Sequence, residues 1–121
     1  MLLFSTRADP IPPEAAIPGV STEMCLLVSE SGPVNLDTIF HIGSIKSRIY
    51  AYSFLDSGFN ILDAVWHTWY SGSELVKSVP CSFDNLSCVS SVSIDSLSPG
   101  DWSVDTKQND ILLHVKQFRV E

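Results

Sequence analysis

The sequence predicts an all-β domain, an immunoglobulin-like antiparallel β-sandwich of about seven strands. Three observations predict it. From Thr22 onward the chain breaks into short runs rich in Val, Ile, Ser and aromatic residues. Gly, Pro, Asn or Asp, the residues that tolerate turn geometry, stand between the runs. No ten-residue window carries the 3.6-residue apolar period of a long helix. A chain of 121 residues fits one domain and buries roughly two thirds of the surface its unfolded form exposes, enough for a core without metals or cross-links.

The chain opens with an arm. "ADPIPPEAAIPG" places Pro10, Pro12, Pro13 and Pro18 in one short stretch, and proline removes backbone donors while favouring extended conformation. Residues 1–21 are therefore expected to be a Pro-rich arm or linker, and residues 22–121 a single sandwich domain. The start, "MLLFSTRADP", has an apolar run followed by small residues such as Thr6 and Ala8. It reads either as the tail of a signal peptide or as a frayed terminus.

Strands are predicted at 23–29, 47–55, 64–71, 74–83, 87–94, 101–106 and 111–120, with breaks at "SGP", "DSGFN", "SGS", "FDN", "SPGD" and "KQND". Alternation sorts the faces of two of them. In 47–55 one face carries Ile49, Ala51, Ser53 and Leu55, and the other Arg48, Tyr50, Tyr52 and Phe54. In "AVWHTWYSGSEL" one face has Val65, His67 and Trp69, and the other Trp66, Thr68 and Tyr70. One tryptophan is thus expected in the core and the other at least partly exposed.

Charge narrows the function classes. A net charge of −7 and a pI near 4.7 repel phosphate backbones and anionic membrane surfaces on average, so no nucleic-acid partner is expected. The basic residues form no block, and no apolar stretch reaches the about eighteen residues that cross a bilayer.

Cys25, Cys81 and Cys88 are an odd set with no C-x-x-C spacing, which disfavours a closed disulfide framework and a thiolate metal site alike. A two-residue turn at Asp84-Asn85 would place Cys81 opposite Cys88 in the wider, hydrogen-bonded pairing, less suited to a cross-strand bridge. Buried free thiols are favoured over a bridge, which leaves the redox compartment open.

Catalytic and metal constellations are thin. His41, His67 and His114 supply bases and Ser is abundant, but no nucleophile elbow such as G-x-S-x-G is present. Asp56, Asp63, Asp101 and Asp105 fall at strand ends or turns without the spacing of a calcium loop, and read as solubilising turn residues. No metal and no cofactor are expected.

Recognition surfaces are the better candidates. Tyr50 and Tyr52 beside Arg48 combine large contact area with directional polar groups, as binding hot spots do. Trp66, His67 and Tyr70 complete the candidate binding set, with ring stacking and a histidine hydrogen bond as their means. Trp69 and Trp102 are assigned to the core, where burial alone justifies a residue of that size.

A further pattern lies in the order of short motifs. Pro33 before the aromatic Phe40, Arg48-Ile49-Tyr50, His67-x-Trp69-Tyr70-x-Gly72, Gly100-x-Trp102-x-Val104 and Phe118-x-Val120 follow one another over residues 23–120. In that order the chain resembles the bacterial domain-of-unknown-function family DUF2914. The resemblance implies a compact β domain of envelope or membrane-anchored proteins, in the periplasm or cell envelope, with no established enzymatic activity. The chain departs from the pattern at Leu86, Ser87 and Val92, where members tend to carry a tryptophan-arginine pair and a lysine, so any role of such a basic patch is in doubt here.

The function expected from residues and resemblance together is a non-catalytic interaction or ligand-binding module of a bacterial envelope protein. A carbohydrate-binding module using exposed aromatics is the first alternative, and a small hydrolase with His67 as base the second. Pairing of a partner strand with an open sheet edge is a further route to assembly.

Overall fold

The computed structural model describes residues 19–55, 65–81, 86–109 and 111–121. The strands are β1 (Val20–Ser29), β2 (Gly32–Leu36), β3 (Ile39–Phe40), β4 (Arg48–Leu55), β5 (Val65–Ser71), β6 (Glu74–Cys81), β7 (Ser87–Ser93), β8 (Gly100–Gln108) and β9 (Ile111–Val120). Short 3-10 turns occupy Ile42–Ser44 and Ile94–Ser96. The Pro-rich arm and the predicted break "DSGFN" lie outside the described residues, except that β1 begins at Val20, inside the predicted arm.

The strands form two sheets, β2-β1-β4-β7 and β3-β9-β8-β5-β6, stacked as a sandwich. All seven predicted strands are present. Two short ones, β2 and β3, were not predicted, and they raise the count among the described residues to nine. The order β9-β8-β5 in one sheet, with the chain changing sheets between β4 and β5 and again between β7 and β8, is the G-F-C arrangement of an immunoglobulin-type sandwich. One pairing departs from a purely antiparallel fold: β3 runs parallel to β9, through Ile39 with Arg119 and Phe40 with Val120.

The core lies between the sheets. Met24, Ile49, Ala51, Trp69, Val92, Trp102, Val104 and Phe118 form its larger part. Phe118 stacks on Trp102 at 5.8 Å between ring centroids and meets Trp69 edge-on at 6.0 Å. Both tryptophans assigned to the core are there, because Trp69 and Trp102 sit on the inward parity of β5 and β8. A smaller cluster of Val20, Leu55, Val65, Cys81, Cys88 and Leu113 fills the opposite end. Leu113 is an extra residue in β9, since Thr106 pairs with His114 and Lys107 with Leu112; the bulge turns it toward the core.

The two open sides of the sandwich are tied differently. On the β1/β9 side Lys116 Nζ lies 3.3 Å from Glu23 Oε1. On the β6/β7 side Lys77 Nζ donates to the Ser91 carbonyl at 2.7 Å, and Cys81 is bonded to Cys88.

That disulfide corrects the expectation of free thiols. The expectation treated the two residues as mates across one hairpin. Cys81 instead ends β6 in the five-stranded sheet and Cys88 lies in β7 of the four-stranded sheet, so hairpin spacing does not govern them. Their Cα atoms are 5.6 Å apart, inside the range a bridge requires. Among the described residues Cys25 is the free thiol, and it is buried.

Candidate functional site

The predicted site residues fall in three separate places: the outer face of the four-stranded sheet, a buried histidine, and the outward side of β5 in the other sheet. The outer face belongs to the four-stranded sheet. β4 buries Ile49, Ala51, Ser53 and Leu55 and turns Arg48, Tyr50, Tyr52 and Phe54 outward, as alternation predicts.

Pairing extends this face in rows. Leu36, Cys25, Tyr50 and Ser91 lie opposite one another across β2, β1, β4 and β7; Glu23, Tyr52 and Val89 form the next row; Leu27 faces Val34. Leu27, Val34, Leu36 and Val89 are all exposed large hydrophobic residues. Tyr52 and Phe54 pack with ring centroids 4.7 Å apart. Cys25, between Leu36 and Tyr50, is covered completely, and burial pushes its thiol pKa up.

One end of the face is cationic. A cleft of about 290 Å³ is lined by Leu27, Asn35, Lys46 and Arg48, among others. Arg48 Nη1 donates to Ser91 Oγ at 2.7 Å, which fixes the guanidinium across β4 and β7. In a chain of net charge −7 a corner with two exposed cations and, among the described residues, no acidic lining residue is a local reversal of sign.

The remaining candidates lie on β5 in the other sheet. Trp66 is 40% exposed and pairs with Pro80 and Lys107. Tyr70, on the same outward parity, is buried. His67 points inward and has no solvent exposure. The grouping of Trp66, His67 and Tyr70 with the β4 face is therefore corrected: sequence parity cannot tell which sheet a strand joins, and these strands belong to different sheets.

His67 is the centre of a polar network inside the core. Its Nε2 is 2.8 Å from Ser53 Oγ and its Nδ1 is 2.6 Å from Ser90 Oγ. Ser53 continues to Thr22 at 2.7 Å, and Thr22 to Thr106 at 2.8 Å. Trp69 Nε1, which can only donate, reaches Ser90 Oγ at 3.0 Å. Ser90 Oγ keeps a second lone pair and its own proton, so it can either donate to His67 Nδ1 or accept from it. With the ring proton on Nε2, Ser90 donates to Nδ1 and His67 donates to Ser53, an arrangement that satisfies every group from Trp69 to Ser53.

Burial lowers the His67 pKa from 6.5 to about 4, because water no longer solvates the charged ring. The residue is therefore neutral in the folded protein near neutral pH. Ser53 and His67 have the spacing of a nucleophile and its base, but both are completely buried and the ring is oriented by Ser90, not by a carboxylate. The partners on β4 and β7 carry no sequence signal, since isolated serines in β-rich runs are common in this chain.

The disulfide abuts this network. Cys88 Sγ is 4.0 Å from His67 Nε2, and the ligand atoms of His67, Cys81 and Cys88 all lie within 4.8 Å of one another. Metal-site reasoning from the sequence missed this group, because its members come from β5, β6 and β7 with no compact spacing.

No protein-family model matches the chain, and no curated protein matches it. Among the described residues no helix is long and apolar enough to cross a membrane.

Proposed function

We propose that the domain is a non-catalytic interaction module of a bacterial envelope protein, and that it recognises a protein partner with the outer face of the four-stranded sheet. The envelope setting rests on the family resemblance. The observation that supports recognition is the continuous outer surface of Leu27, Val34, Leu36, Tyr50, Tyr52 and Val89, which ends at the Lys46 and Arg48 corner. Exposed apolar patches of this kind mark interaction sites, and tyrosine with arginine supplies anchoring contacts. The partner segment that suits this surface is apolar with an acidic side chain at one end. Tyr50, Tyr52 and the flanking aliphatic residues would bury it, and Arg48 with Lys46 would set its direction.

The test is affinity capture from detergent-solubilised envelope with the tagged domain beside a Tyr50→Ala/Tyr52→Ala variant, followed by titration of the captured protein after purification. The expected result is one partner, retained by the parent, lost by the folded variant, and weakened at least tenfold by Lys46→Glu/Arg48→Glu. Binding that ignores both variants sinks this face as the site.

A second reading is favoured by one observation. Trp66 presents an exposed indole on the opposite sheet, as a glycan-stacking platform would. Tryptophan fluorescence that responds to a soluble glycan and ceases to respond in Trp66→Ala would support it. A hydrolase built on His67 is disfavoured by the geometry, because the ring has no solvent exposure and both nitrogens contact serines.

A further inference from the structure

We propose that the Cys81–Cys88 bridge masks a metal site: once it is reduced, the two sulfurs and His67 Nε2 bind one zinc(II) ion. The three donors arrive from three strands and both sheets, from β5, from the end of β6, and from β7. Their ligand atoms already converge within 4.8 Å. Zinc bound at about 2.3 Å to sulfur and about 2.0 Å to nitrogen holds its ligand atoms about 3.5–3.8 Å apart. Reduction frees the sulfurs to separate to that distance, and His67 Nε2, 4.0 Å from Cys88 Sγ, needs little movement.

The chemistry balances in two steps. A dithiol reductant gives two electrons and two protons: the Cys81–Cys88 bond breaks, both become thiols, and the reductant closes to its own disulfide. Zinc then displaces one proton from each thiol to solvent. Two thiolates and a neutral imidazole cancel the charge of the ion. That matters in this pocket, where Val20, Leu55, Val65 and Leu113 surround the sulfurs and an uncompensated charge would be costly.

The surroundings of His67 suit ligation through Nε2. Ligation needs the ring proton on Nδ1, where Ser90 Oγ stands at 2.6 Å to accept it, the outer hydrogen bond that orients a metal-bound histidine. Ser53 gives up its contact with Nε2 but keeps Thr22 at 2.7 Å. Bridge and metal exclude each other, since the same sulfurs serve both. Oxidation therefore expels zinc, and zinc holds the pair reduced.

The experiment uses the full chain, reduced with a phosphine, freed of reductant without oxygen, and titrated with zinc sulfate against a chromogenic chelator. One zinc per chain is expected, with affinity lowered at least a hundredfold by Cys81→Ser or Cys88→Ser and unchanged by Cys25→Ser. Ser90→Ala should weaken binding about tenfold to a hundredfold. Zinc-edge X-ray absorption on the unsubstituted protein should show two sulfurs and at least one nitrogen, which tests His67 even where its substitution prevents folding. Oxidation with diamide should release the metal in proportion to the bridge re-formed. No zinc at one equivalent, binding indifferent to Cys81 and Cys88, or a zinc shell without sulfur and nitrogen together would overturn the proposal.

Discussion

His67 and Ser90 are joined at 2.6 Å across the interior of the sandwich, one on β5 and the other on β7. The bond links the two sheets by side chains in a region where most contacts are apolar. The ring is shut off from water there, and burial favours its neutral form.

Acid should therefore weaken the fold through His67. Its folded pKa, about 4, lies below the unfolded value, so the unfolded chain takes up the proton first as pH falls. The contribution is complete above pH 6.5 and is lost progressively between pH 6.5 and about 4. At about 1.4 kcal/mol per pH unit this approaches about 3 kcal/mol. Urea unfolding of the parent and of His67→Gln at pH 7 and pH 4.5 separates this residue from the carboxylates. The parent should lose at least 1 kcal/mol more than the variant, and equal slopes would remove His67 as the cause.

The two tryptophans of β5 should differ sharply. Trp69→Phe keeps an aromatic ring but deletes the donor to Ser90 and leaves space beside Phe118, at a cost of about 2 kcal/mol. Trp66→Ala, at a half-exposed position, should cost less than about 1 kcal/mol. Chemical denaturation followed by circular dichroism measures both on one scale.

Removal of the bridge should destabilise the domain even without metal. For Cys81→Ala/Cys88→Ala, the separation of seven positions corresponds to about 2.5 kcal/mol of loop-closure entropy in the unfolded chain. A drop in midpoint urea concentration is the expected signature.

Ser103 offers a contrary case. Its hydroxyl is buried and makes no hydrogen bond among the described residues, so Ser103→Ala removes a polar group that gains nothing from them. Stability should be unchanged or higher by about 1 kcal/mol; a loss above that would reveal a partner for the oxygen.

The sequence made seven strands legible because each is long enough to show a period or a pair of turn signals. β2 and β3 escaped for opposite reasons. Gly32–Leu36 is an edge strand with little buried surface, so it lacks an apolar period. Ile39–Phe40 is a strand only because β9 lies alongside it, a contact made by residues far along the chain. On β4 the outward face was readable from alternation. His67 was readable as inward beside Val65 and Trp69, whereas its serine partners and its neighbouring sulfurs were not. Those are set by which sheet each strand joins, and adjacent strands such as β6 and β7 give no local sign that the chain changes sheets between them.

The pairing of Phe40 with Val120 and the bond between Thr22 and Thr106, 84 positions apart, have a kinetic consequence. The β1/β9 side of the sandwich cannot close until the early strands β1 and β3 meet the late strands β8 and β9, so that side gains few native contacts in the early stages of chain collapse. Folding of this domain should take milliseconds to seconds, on the order typical of sandwiches dominated by distant pairings. A chain truncated before β9 would lack the strand against which β1 and β3 are placed, and would expose the aromatic core around Trp102 instead.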